Sequence, residues 1–111
     1  MHHLTVRRGA VLLGSKPGPR FWLLWVDGDL PLCMPIACQS NPLQRWHYRL
    51  SEGDAPGVSG QALTVYADEA RRLDTNRMII VSNLSVSAIA ALSRVIERAA
   101  ASERIEQSVR V

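Results

Sequence analysis

Only one stretch of this chain has helical periodicity, and it comes last. From Val86 to Ala101 the apolar residues Ile89, Leu92, Val95, Ile96, Ala99 and Ala100 recur at helical spacing, with Arg94, Glu97 and Arg98 on the other side. Ser85 or Ser87 supplies its N-cap. What precedes it reads as short strands between turn signals. Ala10 to Leu13 is a brief apolar run, and Ser15 to Arg20 is a loop by its prolines and glycine. Phe21 to Val26 (FWLLWV) is apolar on both faces, as a central strand is. Asp27-Gly28-Asp29 marks a tight turn, and Leu32 to Cys38 returns, with Pro35 requiring an irregular or edge position. Arg45 to Leu50 alternates as a strand does, and Ser51 to Gly60 is a long loop. Ala62 to Val65 and Met78 to Val81 complete the apolar runs. Past Ser102 the apolar spacing slips, which predicts a frayed tail over 102–111. The expectation is a single, mainly β domain over 1–111: a small β-barrel or strongly curved sheet plugged by its C-terminal helix.

Composition narrows the function classes. At 47 % hydrophobic and 21 % charged residues the chain is a folding sequence, not a disordered one. Its net charge of +3 permits an anionic partner without requiring one. No apolar run approaches the roughly 18–20 residues that span a bilayer, so no membrane partner is expected. No apolar leader follows His2, His3, Arg7 and Arg8, which argues for a cytoplasmic protein. Cys33 and Cys38 are an odd number of positions apart in one strand, so their side chains take opposite faces and are read as free thiols. His2 and His3 have no third ligand placed beside them, and neither a metal nor another cofactor is expected.

Two stretches carry chemistry. Tyr66 to Arg77 (YADEARRLDTNR) packs Asp68, Glu69, Arg71, Arg72, Asp74 and Arg77 between two sheet-like flanks, where charges on the rim of a β-structure suit a phosphodiester. They suit a solvated turn equally. In Trp46-His47-Tyr48 an imidazole is flanked by aromatics able to stack bases. Strand alternation puts Trp46 and Tyr48 on one face and His47 on the other.

In order along the chain, several motifs resemble the MazF/PemK family of toxin endoribonucleases. Arg8-Gly9-Ala10-Val11 looks like the family's opening strand, and Gly18-Pro19-Arg20 with FWLLWV is similar to its Gly-x-Arg-Pro and following strand. Met34 to Ser40 looks like its Val-Pro-x-Thr-x-Gln/Ser segment. Tyr66 to Arg77 is similar to its Asp-Gln-x-Arg-x-Ile/Leu-Asp-x-x-Arg stretch, with Asp68, Arg71 or Arg72, Leu73, Asp74 and Arg77 in register.

The resemblance implies an SH3-like barrel that cleaves single-stranded RNA without a metal, working as a homodimer held in check by a cognate antitoxin. The ribose 2′-hydroxyl attacks the adjacent phosphorus, which needs a base, an acid and a cation. It assigns Arg20 and Asp68 catalytic roles; Gln39, Ser40, Trp46, Arg71 and Arg77 are expected in the RNA-binding surface. Ala37 stands where the family has its threonine and brings no hydroxyl, so His47 is expected to substitute as acid or base. The nuclease reading predicts that Arg20, Asp68 and His47 converge in one groove. The alternative is a catalytically degenerate, dimeric module that binds protein or nucleic acid, in which they scatter.

Overall fold

The apolar runs become strands because alternate positions can be buried on the two faces of one sheet. The computed structural model describes residues 8–15, 17–38, 43–58 and 63–109. Its strands are β1 (Ala10–Leu13), β2 (Phe21–Val26), β3 (Leu32–Cys38), β4 (His47–Arg49), β5 (Leu63–Tyr66), β6 (Arg71–Arg72) and β7 (Ile79–Asn83), followed by one helix, α1 (Val86–Val109). All pairings are antiparallel, in the order β4-β5-β3-β2-β1-β7, with β6 also on β3. The chain is therefore mostly β with a terminal helix, as expected. The barrel, however, is not closed: β4 and β7 remain at opposite ends of the order with no pairing between them.

Pro35 shows how β3 tolerates a missing donor. It faces Trp22 of β2 on one side. On its other side β5 pairs only Ile36–Cys38 and β6 only Leu32–Cys33, so Pro35 falls in the gap where no ladder bond is required.

The two faces of the sheet differ. On one, Val11, Phe21, Leu23, Trp25, Met34, Ile36, Leu63 and Val65 form a cluster with Leu84, Ala88 and Leu92. Each fully buried leucine there contributes about 1.5–3 kcal/mol. The opposite face carries a smaller cluster, Ala10, Leu12, Trp22, Leu24 and Cys33, against which Leu73 and Met78 pack. FWLLWV alternates between the two, so its side chains are buried on both faces until the exposed Val26.

α1 is capped by Ser85, whose Oγ accepts the Ala88 N–H at 3.1 Å. Gly9, at φ +100°, lets the chain pass close to the helix: a Cβ there would lie 2.7 Å from Ile89 Cδ1. The helix does not fray at Ser102 but runs to Val109. Interactions from the β4 side hold this last stretch: Trp46 Nε1–H donates to Glu103 at 2.7 Å, and Arg45 forks onto Glu106 at 2.7 and 3.1 Å. Apolar spacing does not register such polar ties. No helix is long and apolar enough to cross a membrane among the described residues.

Candidate functional site

The register puts His47 of β4 opposite Tyr66 of β5. Immediately after β5 the chain makes a single 3-10 turn, Ala67–Glu69, with Ala67 buried and Asp68 and Glu69 outside. That turn brings Asp68 back over the end of β4. Asp68 Oδ1 lies 3.2 Å from His47 Nε2, and the Gln44 backbone N–H donates to His47 Nδ1 at 3.3 Å. The second contact selects the tautomer: Nδ1 is the acceptor, so Nε2 carries the proton and donates it to the carboxylate.

The imidazole stands edge-on to the Tyr66 ring, with centroids 4.6 Å apart and planes at 69°. The His47 side chain is only 9 % exposed while that of Asp68 is 41 % exposed. The buried ring thus fixes an accessible carboxylate, whose second oxygen makes no hydrogen bond to a described residue. Burial first, then the charges of Glu69, Cys38 and Asp68, push the Tyr66 hydroxyl up from its ordinary 10.0. It therefore remains a proton donor at neutral pH.

Strand alternation places Arg49 on the His47 face, because Tyr48 between them packs into the helix-side core. Arg49 is exposed and pairs with Thr64 in register. Two residues along a strand amount to about 6.5–7 Å, so Arg49 is an exposed cation on the same strand face as His47, opposite Thr64 and on the far side of the pair from Asp68. Sequence reasoning missed Arg49 and Tyr66 as site residues. The period-2 pattern of His47-Tyr48-Arg49 was the available signal for the first; nothing local marked the second.

Of the three residues expected to converge, the fold joins two. Arg20 precedes β2, three inter-strand steps from β4, or about 14 Å at the usual spacing. Its guanidinium lies over the Phe21 ring, 5.3 Å from the centroid, and no ion pair joins it to Asp68 among the described residues. Arg20 instead lines a cleft of about 440 Å³ with Leu13, Gly14 and Gly18. Arg77 lines the adjoining cleft, which shares Leu13 and Gly14. Arg71 lies over the Trp22 ring, 5.8 Å from its centroid. Trp46 faces the helix-side core, away from His47. Gln39 and Ser40 lie outside the described residues.

Cys33 is buried and Cys38 exposed, both free. No group of three or more His, Cys, Asp or Glu side chains among the described residues could hold a metal ion. No family model, curated protein or solved structure matches the chain. The likeness to the MazF/PemK toxins therefore stands on the motifs alone.

Proposed function

We propose that the chain is a metal-independent endoribonuclease acting on single-stranded RNA, with the cleaving groups at the β4–β5 end of the sheet. The observation that carries this reading is the 3.2 Å contact between His47 Nε2 and Asp68 Oδ1. It leaves the exposed Asp68 oxygen available as a base. In the proposed reaction that oxygen takes the proton of the ribose 2′-hydroxyl as the hydroxyl oxygen bonds to phosphorus. The bond to the 5′-oxygen breaks, and the Tyr66 hydroxyl returns a proton to that oxygen. Arg49 stabilises the charge on the non-bridging oxygens. His47, with both nitrogens occupied, is a positioning residue rather than the acid or base itself.

The open face suits a polymer, since the deeper clefts of the described residues are lined by other side chains. The resemblance adds the physiological setting: a growth-inhibiting toxin of the cytoplasm, controlled by a cognate antitoxin and acting as a homodimer. The edge strand β7, paired only with β1 among the described residues and with Ile79, Ile80 and Val81 exposed at 64, 47 and 38 %, offers a surface for the second copy. On that reading Ile80→Lys yields a monomer by sedimentation; an unchanged mass removes β7 from the interface.

The test is incubation of the purified protein with mixed-sequence single-stranded RNA in EDTA, followed by end mapping. Cyclic phosphate and 5′-hydroxyl ends are expected. Asp68→Asn should lose about 10²–10⁴-fold in rate and His47→Asn should lose less. Intact RNA at high protein concentration would end the nuclease reading. A second reading, a non-cleaving single-strand binding module, is favoured by the engagement of both imidazole nitrogens, and intact but retarded RNA would establish it.

A further inference from the structure

We infer that the trough around Gly14 is a second phosphate-recognition site, built from the Trp22 indole N–H, Arg20 and Arg77, and that it takes a backbone phosphate of a single-stranded nucleic acid. Trp22 is 6 % exposed, yet its Nε1–H donates to no described residue. Buried donors without partners are rare, and each asks for an explanation. This one is directed at Gly14: a Cβ at that position would lie 3.0 Å from Trp22 Nε1 and 2.3 Å from the Pro19 carbonyl oxygen. Gly14 lines both adjoining clefts, and with no side chain there only its backbone stands between them and the indole edge.

Arg20 lines one cleft and Arg77 the other. A third guanidinium, Arg71, lies over the indole ring itself. Among the described residues Asp74 is the one carboxylate lining these clefts, and its Oδ1 already accepts the Asn76 N–H at 3.0 Å. Indole and guanidinium groups donate hydrogen bonds and accept none, so the complementary ligand offers only acceptors and a negative charge. A phosphate group fits, and arginine binds it in a fork.

Nucleic acid is favoured over a free metabolite because the trough continues the His47 face. Trp22 is opposite Pro35 in register, and β5 with Tyr66 is the next strand beyond β3, about 10 Å from β2. A strand whose sugar lies at Asp68 can pass another phosphate to Trp22. The inference rests on the proposed reading of this face as a nucleic-acid track, but not on cleavage.

The test is titration of the full chain with inorganic phosphate and, separately, with a single-stranded oligodeoxyribonucleotide, which lacks the 2′-hydroxyl. The readout is the three indole N–H resonances, with that of Trp22 assigned by Trp22→Phe. The Trp22 signal should move saturably with both ligands, at lower concentration with the oligonucleotide. Trp25 lies on the helix side and Trp46 is held by Glu103, so neither signal should move. Arg20→Ala and Arg77→Ala, both at exposed positions, should each weaken binding roughly tenfold. Arg98→Ala, on the exposed side of α1, should leave it unchanged, which separates this site from a general effect of net charge. A static Trp22 signal, or one that moves as readily in both arginine variants as in the unaltered chain, overturns the inference. Movement with phosphate but none with the oligonucleotide overturns the choice of a nucleic-acid ligand.

Discussion

On the helix side of the sheet, Leu23, Met34, Ile36 and Val65 are covered by Ala88 and Leu92, and the polar groups are tied off at the margin by Trp46–Glu103 and Arg45–Glu106. On the opposite side, the hydrophobics packed against Leu12, Trp22, Leu24 and Cys33 among the described residues are Leu73 and Met78, from the β6–β7 connection. Around that smaller cluster stand Arg71 over Trp22, His47 against Asp68, and Arg20 and Arg77 in their clefts. One sheet therefore has a face finished by hydrophobic burial and a face finished by charge. Burial is non-directional and tolerates no exposed donors; the charged face leaves donors and acceptors available, which is what a ligand requires.

The largest effect that could break this comparison is in the cores. Leu23→Ala on the helix side should cost about 3–4 kcal/mol and Leu12→Ala on the other about 2, by urea unfolding, because the thinner cluster can relax into the space. Equal costs would mean the two faces are equally packed. Next is Gly14→Ala, where the new methyl meets Pro19 O and the Trp22 ring. It should destabilise by about 1–3 kcal/mol and shift the Trp22 indole resonance. Wild-type stability would show that the trough opens freely.

A smaller effect comes with alkaline pH. Burial raises the Cys33 thiol above 9.0, and burial, followed by Asp54, raises the Tyr48 hydroxyl above 10.0; Tyr66 moves in the same direction. All three are neutral acids whose folded value lies above the unfolded one. Their stabilising contribution is complete below about pH 8 and is lost as the unfolded chain deprotonates, the thiol first, while the folded groups keep their protons. Denaturant midpoints should thus be flat from about pH 7 to 8 and fall beyond. A rising midpoint would contradict the burial of these groups. The smallest effect should be Arg45→Ala. Its pair with Glu106 is exposed on both sides and screened by salt, so the unfolding midpoint should barely move, though amide exchange near Glu106 should quicken.

Apolar patterning located β1, β2 and β3 to the residue, because each alternates or runs continuously between clear turns. It overextended β4, expected over Arg45 to Leu50 and found as His47–Arg49, where residues 45 and 46 instead turn toward the helix. Two-residue β6 has no apolar signature, and its pairing with β3 depends on the 3-10 turn before it. The site follows the same logic. His47 and Asp68 could each be singled out by residue type, but their contact depends on that turn, which no spacing announces. Arg20 was legible as a cation beside a strand; the pull of the Phe21 ring on its guanidinium was not.

Matched charge reversals on the two faces test the account most directly. Arg49→Glu alters the His47 face and Arg98→Glu alters the exposed side of α1, with the same change in net charge. Titration of a labelled single-stranded RNA at fixed salt should find binding lost in Arg49→Glu and nearly unchanged in Arg98→Glu. Equal losses would reduce binding to net charge, and a loss only in Arg98→Glu would place the functional surface on the helix.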